Sequence, residues 1–226
     1  MTDNAKFDRY AEDYQKLLGE QLGFFDPDKG YFAEYKIDII KKHITGTPKK
    51  ILEYGCGIGR NLPYLTRHFE HSTIYACDIS SKSLDIAKAG NPKVKFFLLG
   101  QDLIQGKFDL IIVALVFHHI YPSFRSTVMS DIFHLLQEQG NIFIFEHNPY
   151  NPVTRYLVNH CIFDDDAVLI TKREMMKILT DAHLAITAWR YTLFFPAFLK
   201  KLRFFEPVLG YLPLGGQYFI KARKSK

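Results

Sequence analysis

The chain has 226 residues, of which 47% are hydrophobic and 23% are charged, with a formal net charge of +5. This size and composition are typical of one α/β domain, so we expect a single domain over 1–226. No apolar run reaches the 18 residues of a membrane-spanning helix, and the polar N-terminus is not typical of a signal peptide. Three cysteines without C-x-x-C spacing do not indicate disulfides or a zinc site, and we expect a cytoplasmic protein.

The first two thirds of the chain begin with two helices and then alternate strands and helices. Apolar residues spaced by three to four predict helices over 5–21 and 31–45, the second ended by Gly46 and Pro48. Strands are predicted at 50–54, 73–77, 94–99, 108–114 and 141–146, and helices near 60–69, 81–89 and 122–138. The strand at 108–114 is apolar over 110–113, which is typical of a parallel sheet covered on both faces.

The last third of the chain contains two more strands and an aromatic segment. Asn-Pro pairs at 148–149 and 151–152 predict a turn into an insertion, and a capping box at 171–174 predicts a helix over 172–182. Strands are predicted at 184–192 and 216–223. Between them the segment 194–213 is rich in aromatic, leucine and proline residues, and five apolar side chains fall on one helical face: Phe198, Leu199, Leu202, Phe205 and Leu209.

Glycines at 55, 57 and 59 directly follow the first strand and have an acidic residue, Glu53, two places before them. Glycine at alternate positions allows a tight turn and a close approach of backbone to a ligand. The dinucleotide fingerprint G-x-G-x-x-G/A, counted from Gly55, needs Gly or Ala at position 60, where this chain has Arg60. Counted from Gly57 it needs Gly or Ala at position 62, where this chain has Leu62. A nicotinamide or flavin site is therefore not predicted.

This glycine pattern, an acidic residue followed by G-x-G-x-G, resembles motif I of the class I S-adenosylmethionine-dependent methyltransferases. The order of elements is similar to their Rossmann-like α/β fold, a seven-stranded, mostly parallel sheet whose last strand is antiparallel. The resemblance covers 48–147, and beyond that only the order of elements. It implies helices covering the cofactor at 1–47, a cofactor-binding core at 48–147 and a substrate side at 148–226.

The resemblance implies S-adenosylmethionine as cofactor and gives roles to several residues. Glu53 would orient the methionine ammonium through water, Ile79 would lie against adenine, and Asp102 would contact the adenine amino group. The helix with Tyr10 and Tyr14 would close over the cofactor. The remaining predicted cofactor residues are Gly55, Cys56, Gly57, Gly59 and Ala114.

Asp78 follows the second strand, about twenty residues after the glycine turn. A carboxylate at this place can accept hydrogen bonds from both ribose hydroxyls, as in dinucleotide-binding folds. The alternative is a purely structural residue at a helix N-terminus, with Ser80 or Ser81 as the cap. We predict the ribose role.

Two histidine-containing strand ends provide the catalytic candidates. The fourth strand leads into His118-His119, which resembles the small-molecule methyltransferases of the ubiquinone and menaquinone type, and the fifth ends at Glu146-His147. An imidazole or a carboxylate can take a proton from an acceptor, so His147, Glu146 and then His118 are the predicted general bases. No metal site is predicted, since adjacent histidines on a turn should point in different directions and no carboxylate is suitably spaced.

The acceptor is expected to be a small, partly apolar molecule, and a lipid-like molecule is one option. The segment 194–213 can pack on the sheet, cover the acceptor as a lid, or rest on a membrane surface, the last being least favoured. The run 164–166 of three aspartates predicts a solvated loop or a cap, with sugar or cation contact as a lesser option. No basic groove or added module indicates nucleic acid as partner. A nucleic-acid methyltransferase and a non-catalytic cofactor-binding protein remain alternatives, and the sequence does not fix the oligomeric state.

Overall fold

The computed structural model describes Asp8, 30–162 and 164–225. Apart from Asp8, the helix predicted at 5–21, with Tyr10 and the predicted cofactor residue Tyr14, lies outside the described residues. Within the described part of the chain, no helix is both long and apolar enough to cross a membrane.

A seven-stranded sheet forms the centre of the domain. Its strands are β1 (Lys50–Tyr54), β2 (Thr73–Asp78), β3 (Lys95–Leu98), β4 (Phe108–Ala114), β5 (Leu136–His147), β6 (Leu184–Thr192) and β7 (Gln217–Lys224). Their order across the sheet is β3-β2-β1-β4-β5-β7-β6, and only β7 runs antiparallel to its neighbours. The predicted fold class, including the antiparallel last strand, is confirmed.

Helices cover both faces of the sheet. They are α1 (Tyr31–His43), α2 (Leu62–His68), α3 (Ser81–Gly90), α4 (Arg125–Leu135), α5 (Pro152–Asn159), α6 (Lys172–Asp181) and α7 (Glu206–Leu209). Successive strand residues point to opposite faces, so Ile51 packs with α1 to α3 while Leu52 packs with α4 and α6. The continuous apolar strands therefore have two cores to fill, one on each face.

In the last third, the turn predicted at the Asn-Pro pairs is followed by a further helix, and the 194–213 segment differs from its prediction. The second Asn-Pro pair begins α5. Asn151 caps the N-terminus of this helix, since its side chain accepts a hydrogen bond from the amide of Thr154 (2.9 Å). The segment 194–213 is not one continuous helix: a 3₁₀ stretch, Ala197–Phe205, has a kink at Leu199 and is followed by α7. The five apolar side chains thus do not share one face, and Phe198 and Phe205 are exposed.

The sheet order places a reversal between β1 and β4. The chain proceeds outward from β1 through β2 to β3, and then returns to form β4 on the other side of β1. In open α/β sheets, ligands bind at the carboxyl ends of the strands beside such a reversal. This edge holds the glycine turn, Asp78 and both histidine-containing strand ends.

Candidate active site

A cavity of about 630 Å³ opens at the carboxyl ends of the central strands. One side is formed by the turn after β1 and the end of β2, and the other by the residues after β4 and β5 together with the start of the 194–213 segment. Helix α1 contributes Phe32, Ala33 and Lys36 to its wall. The cavity is therefore large enough to hold a cofactor-sized molecule with part of a second ligand.

The three glycines of the turn all have positive φ but serve different purposes. A Cβ at Gly55 would lie 2.4 Å from Val116 Cγ2, and one at Gly59 would press on Leu62 and Ala87, so these two glycines permit close packing. Gly57, with φ of 52°, lines the cavity, and a Cβ there would meet no heavy atom within 4 Å. At Gly57 the missing side chain leaves room for a ligand against the backbone.

Asp78 links the glycine turn after β1 to the turn after β2. Its Oδ2 accepts a hydrogen bond from the amide of Gly57 (2.7 Å), and its Oδ1 accepts one from the amide of Ser80 (3.0 Å). Burial raises its pKa, and these backbone donors act in the opposite direction. Each carboxylate oxygen keeps a lone pair for a further donor, and the residue lines the cavity as the ribose prediction requires. The side chain of Ser80 caps α3, and Ser80 was one of the two caps named in the structural alternative for Asp78.

Glu53 lies beneath the glycine turn and is almost fully buried. Its Oε1 accepts a hydrogen bond from Asn61 Nδ2 (2.6 Å), whereas its Oε2 has no hydrogen-bond partner. Burial raises the pKa of this carboxyl to about 7. A buried acceptor without a donor is unfavourable, so the site fits a ligand that brings a positively charged or hydrogen-bonding group to Oε2.

The other predicted cofactor residues divide into two groups. Cys56, Ile79 and Ala114 line the cavity. Asp102 does not line it: the side chain is exposed, and its Oδ2 accepts a hydrogen bond from the amide of Leu98 (2.6 Å), which closes its own loop. The adenine contact assigned to Asp102 remains a prediction that this arrangement does not support.

Glu146 is fully buried and does not line the cavity, which corrects the expectation that it faces the substrate side. Its Oε1 accepts hydrogen bonds from the amides of Val116 (3.0 Å) and Phe117 (2.7 Å), and its Oε2 is 2.7 Å from His118 Nδ1. Burial raises the pKa of Glu146, but the neighbouring His118 lowers it by more. The pKa therefore lies below its usual value, and the carboxyl is ionised. Glu146 therefore positions His118 and does not itself reach an acceptor.

The two adjacent histidines turn toward one carboxylate. Their ring centroids are 4.1 Å apart, and Asp164 Oδ1 is 3.6 Å from His118 Nε2 and 3.4 Å from His119 Nε2. All three residues line the cavity. The expectations that the histidines point apart and that no carboxylate is suitably spaced are wrong at this point. Asp164 contacts both histidines, where a solvated loop or a cap was the favoured prediction and sugar or cation contact the lesser one.

His147 completes the polar end of the cavity. Its ring lies at the end of β5, with its centroid 5.0 Å from that of His118, and it lines the cavity. Burial and the charge of His118 lower the pKa of His147 to about 4. A neutral imidazole in this position can accept a proton from a bound molecule.

Sequence reasoning missed two cavity residues that act on Glu53, and it gave Asp164 only the lesser option of sugar or cation contact. Lys36 on α1 and Asn61 before α2 both act on Glu53, the lysine through its charge and the asparagine through a hydrogen bond. Asp164 is brought in by the turn after α5. A lysine among the apolar residues of the helix predicted at 31–45 was the available signal for Lys36, and the run of three aspartates was the signal for Asp164; Asn61 had none as specific.

The central part of the chain matches a known protein family. Residues 51–140 match the family model described as a methyltransferase domain. Over this stretch the chain is therefore similar to a methyltransferase domain. This match supports, over these residues, the resemblance predicted from the glycine motif and the order of elements.

The chain is similar in sequence to the demethylmenaquinone methyltransferase of Thermotoga maritima. The two are 30% identical over 149 residues, which make up 64% of this chain and 61% of the relative. The chain thus matches about three fifths of that relative's length.

Solved structures of methyltransferases share the fold of this chain. The plantazolicin methyltransferase BpumL, crystallised with S-adenosylhomocysteine (SAH), has a TM-score of 0.67 at 16% identity, covering 98% of this chain and 96% of its own. Magnesium protoporphyrin IX methyltransferase from Synechocystis PCC 6803, crystallised with S-adenosylmethionine, has a TM-score of 0.64 at 15% identity, covering 100% and 99%. At these identities the likeness concerns the fold.

Proposed function

We propose that the protein transfers the methyl group of S-adenosylmethionine to a small, partly apolar acceptor. The observation that carries the proposal is the pairing of an open glycine, Gly57, with a buried carboxylate, Asp78, at the mouth of β1 and β2. When bound, the cofactor supplies an activated methyl group on a sulfonium, so the protein's task is to bind, orient and exclude water.

The cofactor end of the cavity would be built by Asp78, Glu53 and the glycine turn. The free lone pairs of Asp78 suit two ribose hydroxyls, and the unpartnered Oε2 of Glu53 suits an ammonium group or a water that it holds. Phe32, Ala33 and Lys36 of α1 line the same cavity, which supports the proposal that the N-terminal region covers the cofactor.

The acceptor end would combine an apolar wall with a polar floor. Val153 and Leu157 of α5 and Phe195 of the 194–213 segment provide apolar surface, while His147 provides a proton acceptor. An acceptor with an apolar body and one reactive polar group fits these surroundings. The name of the Thermotoga maritima relative supports a demethylated quinone-type acceptor as the first to test.

Calorimetry with SAH and with NAD tests the cofactor, and SAH production from S-adenosylmethionine with a panel of phenols, quinols and small amines tests the transfer. Measurable SAH binding with no NAD binding is expected, together with turnover of at least one acceptor. Binding of NAD but not SAH would overturn the proposal, and SAH binding without any turnover would favour a non-catalytic binding protein.

Cofactor binding should release protons through Glu53. Its pKa of about 7 means that about half of the molecules carry a proton on Glu53 at pH 7. A positively charged amine near Oε2 favours the ionised form, so SAH binding at pH 7 should release up to ~0.5 proton, and SAH affinity should rise as the pH increases through 7. Calorimetry in buffers of different ionisation enthalpy measures the release. Glu53→Gln should abolish this release, and an equal release from the variant would place the titrating group elsewhere.

The 194–213 segment is proposed to cover the acceptor site. Phe195 lines the cavity, whereas Phe204 in the same segment is 69% exposed and does not. Burial of an aromatic side chain against a ligand is worth roughly 1.5–3 kcal/mol, so Phe195→Ala should raise the acceptor KM about tenfold or more. Steady-state kinetics should show no such change for the control, Phe204→Ala. Equal KM values for both variants would contradict a cover over the acceptor.

A further inference from the structure

We propose that His118, His119 and Asp164 bind one divalent transition-metal ion at the acceptor end of the cavity. The Nε2 atoms of both histidines face Asp164 Oδ1, at 3.6 Å from His118 and 3.4 Å from His119. The three residues offer one ligand atom each, all within 4.8 Å of one another. No other cluster of three such residues occurs in the described part of the chain.

The separations fit two ligands of one ion better than a direct hydrogen bond. A strong N–H···O bond has a donor–acceptor distance of roughly 2.7–3.2 Å, and both distances here are longer. Nitrogen and oxygen ligands at ~2.0–2.2 Å from a tetrahedral ion lie about 3.4 Å apart. An ion placed among the three residues therefore needs only small side-chain adjustments.

The tautomer of His118 also supports a metal ion between His118 and Asp164. The carboxylate of Glu146 lies 2.7 Å from His118 Nδ1 and accepts hydrogen bonds from two backbone amides, so its position directs the Nδ1 proton of His118 to Glu146. His118 Nε2 then faces the carboxylate of Asp164, and a metal ion that takes the place of a proton on Nε2 would be bound by both atoms. A carboxylate behind a metal-binding histidine is also the usual arrangement around protein metal ions.

Backbone contacts hold the two ligand-bearing turns together. The amide of Val168 donates to the carbonyl of His118 (2.8 Å), and the amide of Asp164 donates to that of Cys161 (3.0 Å). Arg125 spans the turns, since its guanidinium donates to the carbonyls of Phe117 and Val168. The three ligands thus come from two turns that are pinned to each other, as a pre-formed site requires.

Two imidazoles and one carboxylate suit ions such as Zn²⁺, Fe²⁺ or Co²⁺, and three protein ligands leave at least one coordination position open. His118, His119 and Asp164 all line the cavity, so the open position faces it. We expect it to take an oxygen of the acceptor, such as a phenol or enol. That last step rests on the proposed methyl transfer, whereas ion binding does not.

Metal binding can be measured on the untagged chain after treatment with a chelator, without cofactor or acceptor. Calorimetry with Zn²⁺ should show one equivalent bound, and Co²⁺ should give the visible absorption of a low-coordinate site. Asp164→Asn and His119→Ala should each abolish stoichiometric binding. Glu146→Gln should weaken it by about 10–100-fold, the range for a group that orients a metal ligand. His71→Ala, a change at an exposed histidine outside the cavity, should bind as the original chain does.

Failure of the original chain to bind either ion would overturn the proposal and assign the position between His118 and Asp164 to a proton. Equal binding by Asp164→Asn, His119→Ala and the original chain would also overturn it, since the ion would then bind elsewhere. Thermal unfolding identifies a variant that does not fold, and the partly exposed His119 provides the milder change. Because no cofactor is present, a lack of SAH binding would refute the proposed function and leave this result unaffected.

Discussion

Replacement of His147 by alanine should slow methyl transfer by about 10²–10⁴-fold, the usual contribution of a positioned general base, while the affinity for SAH is retained. The reason is placement: the ring stands at the end of β5, lines the cavity, and lies beside the polar cluster at its acceptor end. Single-turnover kinetics with an identified acceptor measures the chemical step.

The control for this measurement is His134→Ala, which alters an exposed histidine at the end of α4 and should leave the rate unchanged. His147→Gln keeps a hydrogen-bonding side chain but cannot act as a base, so it should be nearly as slow as the alanine variant. A normal single-turnover rate in both His147 variants would exclude His147 as the base. Positioning of the acceptor by the rest of the cavity would then account for the rate.

Replacement of Asp78 by alanine should weaken SAH binding by roughly 1.5–3 kcal/mol, or about 10–150-fold, because hydrogen bonds to a charged group are lost. The same change removes the acceptor for the amides of Gly57 and Ser80, which hold the two turns together. Asp78→Asn keeps an acceptor oxygen and should lie between the alanine variant and the original chain. Calorimetry measures the affinity.

Asp85→Ala is the matched control, since Asp85 is an exposed carboxylate on the neighbouring helix α3 that pairs with Lys88. Its SAH affinity should equal that of the original chain. If Asp78→Ala also bound SAH with unchanged affinity, the ribose contact would have to be assigned to another group. Thermal unfolding of each variant separates a lost contact from a destabilised turn.

The sequence by itself determined the sheet and the cofactor side of the cavity. Strands such as 110–113 are apolar on both faces, and this pattern requires helices on each side wherever the strand is placed. Gly57 and Asp78 each follow a strand directly. Since parallel strands end at the same edge, their meeting at 2.7 Å follows from local order and strand direction.

Only the tertiary structure decided the acceptor side. His118 and Asp164 are 46 positions apart, and they meet because α5 and the following turn pack back over the end of β4, a placement that no local pattern encodes. The orientation of Glu146 depends on the two amides that its carboxylate can reach, which exist only once the turn after β4 has formed. The 194–213 segment had helical spacing, yet it breaks at Leu199, and buried Glu206 of α7 accepts a hydrogen bond from the amide of Phe194. Helical periodicity reports local preference, whereas the satisfaction of buried polar groups depends on partners distant in the chain.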